Sequence, residues 1–403
     1  MVLKNNGRLA RDLLTTFGKI RYTRTQLVPA DDQSRNKLME LEDRKSVFPL
    51  DIALGVDKLS FKMTYRMVAA VAREAVACDS YGEASERILQ IYHEKVSVSL
   101  VEQVTDYVGA LAYNEQCKEA ELARKLLEED KRDNRKRRRR HDDILYIEMD
   151  GAMVHVRDKG KDPAKGDPGR DGWRESKHAI AFHSSQITVY TDANGKRQHR
   201  IGMRDATGYI GSAEHFRNHL YAMARRNDCD RCTKVIVLAD GAEWIGDLVD
   251  EMFPYAIHIL DKFHAKQNAG RFVKAVIHGK NKQAAFIAKL EELIDNGDVE
   301  GLLSALKPYA NVKEEGVVNM YTYVLNHKNC MNYAYYESQG YFVGSGAIES
   351  ANIYLMQDRM KLPGMRWNTI EGQGMLTLKT YYETGRWNEI ESLMRTHCLS
   401  LTP

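Results

Sequence analysis

The chain has 403 residues, 43% of them hydrophobic and 29% charged, and its formal net charge is only +3. That length exceeds one ordinary hydrophobic core, so two or three domains are expected, and the near-neutral balance means that any affinity for nucleic acid must come from local clusters of basic residues. No apolar stretch approaches the ~18 residues of a membrane span and the N-terminus carries no secretory apolar segment, so an intracellular protein without a membrane partner is expected.

Taken in chain order, residues 17–24 alternate between Phe17, Ile20, Tyr22 and Lys19, Arg21, Thr23, which predicts a short half-buried strand. A helical stretch follows over residues 60–78. Residues 83–93 and 98–113 then read as two helices around a tight connection at 94–97, with Ser97 as N-cap and Leu100, Val101, Val104, Val108 and Leu111 as the apolar stripe of the second. That is the outline of a helix-turn-helix whose second helix reads DNA bases; a pair of helices that only pack fits it too. Residues 131–140 carry eight basic side chains against one Asp, a block that repels itself and cannot pack. Arg135, Lys136, Arg137, Arg138, Arg139 and Arg140 are expected to track phosphates without regard to sequence, in a segment that also serves as a solvated linker.

Downstream, residues 144–156 predict a long strand, 157–173 a loop or hairpin tip, and 177–190 a strand that pairs back. Residues 196–203 are expected to form the third strand, entered through the turn Ala193-Asn194-Gly195. Helix 212–226, strand 234–239, helix 242–253 and strand 256–260 then alternate as βαβ units do, and 271–335 is mostly helical. Six cysteines scattered through so long a chain suit a reducing compartment. Cys229 and Cys232 have the spacing of a zinc or redox motif, but no second pair lies nearby, and two thiols in a loop is the reading taken.

Three short acidic signatures carry the chemistry. In Tyr146-Ile-Glu-Met-Asp150-Gly151 and Val235-Ile-Val-Leu-Ala-Asp240-Gly241, a carboxylate stands where an apolar run meets a glycine, so a rigid strand fixes the side chain and the turn exposes it. In Gly344-Ser-Gly-Ala-Ile-Glu349-Ser350, a glycine-serine turn opens a helix and places Glu349 in its first turn, with Glu337 as the substitute third acid. Converging carboxylates make a site for two Mg²⁺ ions, because hard cations take oxygen ligands and each oxygen of a phosphodiester exchange needs one ion. Asp150, Asp240 and Glu349 are therefore the expected metal ligands and catalytic acids of a DNA-cutting enzyme. Asp261 and His264, an Asp-x-x-His step after the next strand, are expected to support that site. Arg359, Lys361 and Arg366 read as phosphate contacts, and Trp367 as a stacking platform for an unpaired base; Trp244 reads as core.

Met149-Asp150-Gly151, Ala239-Asp240-Gly241-Ala242-Glu243-Trp244-Ile245, Leu260-Asp261-Lys262-Phe263-His264, Gly344 to Ser350, Arg359-Met360-Lys361 and Gly364-Met365-Arg366-Trp367 together resemble DDE transposases of bacterial insertion sequences. The likeness is to the ISKra and ISLre groups, relatives of mutator-like transposases, and Phe48-Pro49-Leu50-Asp51 with Leu54-Gly55 extends it upstream. The resemblance implies an α/β ribonuclease H-like catalytic core with a helical insertion, preceded by a mostly α-helical domain of helix-turn-helix type. It implies two Mg²⁺ or Mn²⁺ ions, no nucleotide cofactor, duplex DNA of transposon ends and target as partner, a homodimer or higher oligomer on DNA, and a cytoplasmic, nucleoid-associated protein. The expected division is 1–59, a strand-containing region; 60–130, the helical DNA-binding domain; 131–143, the basic linker; 144–264, the first part of the core; 265–340, the insertion; and 341–403, the helical end of the core. A nuclease of the same fold that cuts without joining, and a transposase-derived regulator, are the rival classes.

Overall fold

The computed structural model describes residues 1–132, 141–157, 172–195, 197–202 and 204–400. The basic tract from Arg135 to Arg140 lies outside the described residues. In chain order the strands are β1 Leu3–Thr15, β2 Gly18–Pro29, β3 His141–Val156, β4 Gly172–His183, β5 Ile187–Thr191, β6 Arg197–Ile201, β7 Asp205–Ile210, β8 Cys232–Ala239 and β9 Ile257–Leu260. The helices that precede the central sheet are α1 Asp32–Glu42, α2 Pro49–Ala53, α3 Tyr65–Ala77, α4 Tyr81–Tyr92 and α5 Val98–Arg132. Those within and after it are α6 Ala213–Arg226, α7 Glu243–Met252, α8 Lys262–Val276, α9 Lys280–Asp295, α10 Val299–Leu306, α11 Met320–His327, α12 Tyr333–Ser338, α13 Gly346–Asn352, α14 Asp358–Met360, α15 Thr369–Glu383 and α16 Trp387–Leu399. No described helix is long and apolar enough to cross a membrane.

The chain forms two compact units, each assembled from segments distant in sequence. The first holds residues 1–116, 155–172 and 355–403. Within it β1 and β2 make an antiparallel hairpin, longer than the single strand that the alternation at 17–24 predicts. The hairpin is fixed by Asp51, 1% exposed, whose carboxylate accepts from Arg11 at 2.6 Å, from Tyr22 Oη at 2.6 Å and from Arg24. Two guanidiniums offset the desolvation of one buried carboxylate. Helix α3 is the unit's centre, with Met67, Val68, Val71, Ala72 and Ala75 all buried, which follows from small and apolar residues recurring at helical spacing around its charged Arg66, Arg73 and Glu74.

The second unit, residues 117–154 and 173–354, is mixed α/β around a five-stranded mixed sheet of order β7-β4-β3-β8-β9. β4 and β7 are antiparallel, whereas β3, β8 and β9 run parallel. Side chains alternate across a strand. Leu145, Ile147 and Met149 of β3 accordingly enter one core with Phe216 and Leu220 of α6 and Leu248 and Val249 of α7, which leaves Tyr146, Glu148 and Asp150 on the opposite face. The third strand is a correction to the sequence reading. Of the expected strand 196–203, the described part Arg197–Ile201 does not join this sheet; as β6 it pairs with β5 in a separate two-stranded ribbon, and β7 takes the place beside β4. Ala206, Thr207 and Ile210 of β7 are buried, while β5 and β6 are mostly exposed, so β7 and not the ribbon supplies the side chains that the sheet buries.

Candidate active site

The parallel strands align the aspartates. Met149 pairs with Ala239 and Ala239 pairs with Leu260, so Asp150, Asp240 and Asp261 each stand one residue beyond a single row of partners on three neighbouring strands. Adjacent strands lie ~4.8 Å apart, which brings three carboxylate-bearing residues to one sheet edge without help from any loop.

The turn after Asp240 is held tightly. Gly241 has φ +88, and a Cβ there would lie 2.8 Å from Leu260 Cδ1 and 3.0 Å from Tyr323 Oη, so only glycine fits. Asp240 Oδ1 accepts from Ala242 N at 3.0 Å, and Tyr323 Oη donates to the Asp240 carbonyl at 3.0 Å. The backbone of the second aspartate is thus fastened on both sides.

Glu349 arrives on α13, and three contacts fasten that short helix to the sheet. Asp261, 1% exposed, accepts through Oδ2 from Ser345 N and, at 2.7 Å, from Ser345 Oγ, while its Oδ1 caps α8 by accepting from His264 N at 2.6 Å. Burial works against ionisation of Asp261, but these donations from His264 and Ser345 outweigh it and hold the carboxyl below its ordinary range. Glu148, fully buried, accepts from Ile348 N at 2.8 Å; burial pushes its carboxyl up to about 8, against the hydrogen bonds from Ile348 and Ala347. Asn352, at the end of α13, donates through Nδ2 to Asp150 Oδ2 at 2.5 Å.

The electrostatics tie the set together. Burial raises the Asp150 carboxyl, and the charges of Asp240 and Glu349 raise it further, against the Gly151 N–H and His264. His264 Nδ1 stands 3.2 Å from Asp261 Oδ1, and Nε2 stands 3.7 Å from Glu349 Oε1. Asp261, more than offsetting burial, raises the imidazole, with Glu349 and Asp240 adding to it. Asp150, Asp240, Asp261, His264 and Glu349 therefore share one neighbourhood, while Glu337 pairs with Lys262 at 2.8 Å. Among the described residues, no three His, Cys, Asp or Glu side chains stand close enough together to hold a metal ion as placed. The donor set nonetheless suits a hard cation: the acids are oxygen donors whose mutual repulsion on Asp150 a divalent charge would relieve.

The other expected contacts lie in the first unit. Arg359 is 2% exposed, donates to the Ala75 carbonyl at 3.1 Å and sits over the rings of Tyr81 and Trp367 at 4.6 and 5.2 Å. Trp367, 7% exposed, donates through Nε1 to the Met360 carbonyl at 3.1 Å. Both expected DNA contacts, the phosphate contact Arg359 and the base platform Trp367, are packed rather than presented, because the aromatic rings and the cation bury one another. Lys361 and Arg366 are exposed. Trp244 packs edge-on against Phe216, as its reading as core expects. Glu148 and Asn352 were not singled out by sequence; the one signal for Glu148 is an acid in an apolar strand two residues before Asp150, hence on the same face.

Among solved structures, the Drosophila P element transposase strand transfer complex is similar over 90% of this chain and 87% of that chain, at 8% identity and a TM-score of 0.24, a level that carries no inference. No curated protein matches the sequence. Residues 2–389, nearly the whole chain, match the uncharacterised protein family UPF0236, and the chain belongs to that family.

Proposed function

We propose that this protein is a DNA transposase with a ribonuclease H-like core, in which Asp150, Asp240 and Glu349 are the acids of a DDE-type site. The observation that carries the reading is the register that sets Asp150, Asp240 and Asp261 in one row of neighbouring parallel strands, with Glu349, about two hundred residues beyond Asp150 in sequence, 3.7 Å from the imidazole of His264. A sheet whose three parallel strands carry aspartates in one register row, Asp240 and Asp261 just past the ends of β8 and β9 and Asp150 within β3, with an antiparallel β4–β7 side, supports the same reading. So does the Asp-x-x-His step, which stands beside the third acid.

Asp150, Asp240 and Glu349 would hold Mg²⁺ or Mn²⁺, whose chemistry when bound is to lower the pKa of the attacking hydroxyl and to stabilise the leaving oxygen. The chain's own residues do the positioning. Asp150 and Asp240 are fixed by β3, β8 and the Gly241 turn, and Glu349, about half exposed, has the side-chain freedom to turn toward them. Asp261 and Glu148 fasten the helix that carries it, and His264 brings a proton donor next to its carboxylate. Water would attack the phosphorus at the element's end and the bond to the 3′-oxygen would break. The freed 3′-hydroxyl would then attack a target phosphodiester, making one bond and breaking one, with no protein-DNA covalent intermediate.

Linear duplex carrying the element's end, incubated with Mn²⁺ and a target plasmid, tests this. The wild-type chain should cut at the end and join it to target, and Asp150→Asn or Asp240→Asn should lower cutting by at least a hundredfold while retaining DNA binding. Cutting without joining would support a nuclease of the same fold. Loss of binding in both variants with unchanged folding would make the acids structural.

A further inference from the structure

Asn352 belongs to none of the motifs, yet its place is specific. It closes α13 one turn beyond Glu349, is 4% exposed, and its Nδ2 donates to Asp150 Oδ2 at 2.5 Å. Its Oδ1 is buried and has no hydrogen-bond partner among the described residues. Turning the amide over would set that oxygen against Asp150 Oδ2, two acceptors facing each other, so the contact with the carboxylate fixes the orientation and leaves the oxygen unpaired. Buried polar atoms are almost always satisfied, and the exceptions concentrate where a position serves something other than stability. The backbone agrees, since a π-helical turn, Ile353–Gln357, begins at the next residue, and such turns are rare and frequent at functional sites. Asp150 Oδ1 accepts from Gly151 N at 2.7 Å, so with Asn352 on Oδ2 both oxygens of the first acid are held and its carboxylate has one orientation.

We propose that Asn352 is a positioning residue of the acid site, which locks the Asp150 carboxylate in the orientation that receives a divalent cation and couples it to the helix carrying Glu349. The proposal rests on the reading of Asp150 as a cation ligand. It assigns to an uncharged residue, one helical turn from the third acid, the task of setting the first acid's geometry, so that the two acids move together.

Calorimetric titration of the full-length protein with Mn²⁺, in the absence of DNA, reads the effect without any activity. Asn352→Leu keeps the volume and removes both polar ends, and Asn352→Ala adds no bulk and serves should the leucine variant not fold. Each should weaken Mn²⁺ binding at least tenfold, in the range seen when groups behind a metal ligand are removed. The ion-free leucine variant loses an unpaired buried oxygen and also the donor to Asp150 Oδ2, so a cooperative melt is recorded beside the titration to establish that it folds. Asp150→Asn is the third arm and should remove the binding. If the Asn352 variants bind Mn²⁺ as tightly as wild type while Asp150→Asn does not, Asn352 is a packing residue and the inference is wrong. If Asp150→Asn also binds as wild type, the cation-site reading itself falls, and the inference with it.

Discussion

At the scale of single residues, Asp261 carries more of the site than its place in an Asp-x-x-His step suggests. One buried carboxylate caps α8 and accepts both groups of Ser345, so Asp261→Ala strips an N-cap and leaves buried donors unpaired. A loss of about 2–3 kcal/mol in urea unfolding is expected, with cleavage lost as well, because α13 is no longer fastened. Asp106 offers a separate test in the other unit. Burial, with Glu371 and Glu102 nearby, pushes its carboxyl up to about 7. A folded value above the ordinary one means that its contribution is fully present below about pH 4 and is lost as pH rises through 7. Asp106→Asn should therefore keep stability that wild type loses across that window, by about 1–2 kcal/mol at pH 8 after allowance for screening by water, and melting curves at pH 4 and pH 8 measure it. Asp150, Asp240 and Glu349 could be proposed from sequence because each sits in a motif with a physical reason. Glu148 and Asn352 were not, because a single residue at an ordinary position acquires meaning only when another segment packs against it.

At the scale of elements, the glycines show where backbone geometry leaves no choice. Gly241→Ala puts a methyl against Leu260 Cδ1 and Tyr323 Oη and forces φ +88 on alanine, so a loss of about 1–3 kcal/mol is expected together with a displaced Asp240 and reduced Mn²⁺ affinity. In the first unit, Gly109 of α5 and Gly374 of α15 face each other, and a Cβ on Gly109 would lie 2.9 Å from Gly374 Cα. Gly109→Ala should separate these helices at about 1–3 kcal/mol, read by denaturant titration, and leave Mn²⁺ binding in the second unit unchanged. Much of the element order was readable from apolar periodicity, including Ser97 as the start of α5, where its Oγ accepts from Leu100 N at 3.3 Å. Its end was not. Residues 114–132 are rich in Glu, Lys, Ala and Leu without Gly or Pro, so nothing stops the helix after Tyr113, and Arg124 pairs with Glu121 at 2.8 Å and Glu128 at 2.6 Å along it. β7 was missed for the opposite reason. Asp-Ala-Thr-Gly-Tyr-Ile is short and holds a Gly between its apolar residues, and it is a strand because α6 and β4 bury it.

At the scale of the whole molecule, a net charge of +3 makes affinity for DNA a matter of where the charge lies. The eight basic residues of 131–140 are the densest cluster in the sequence, and neutralising four of the arginines should weaken binding to end and random duplex alike, lowering the salt slope by about 0.9 for each phosphate that is no longer neutralised. A variant that loses only specific binding would assign sequence reading to that segment instead. The proposed function, however, stands on the acids. The most direct measurement is an anomalous difference map from crystals of the protein with its end DNA and Mn²⁺, collected near the manganese edge. The account predicts peaks bounded by the carboxylates of Asp150, Asp240 and Glu349, about 3.5–4 Å apart where two ions bind. Manganese bound elsewhere, with Glu349 turned away and Asp150 still held only by Asn352 and Gly151, would contradict it.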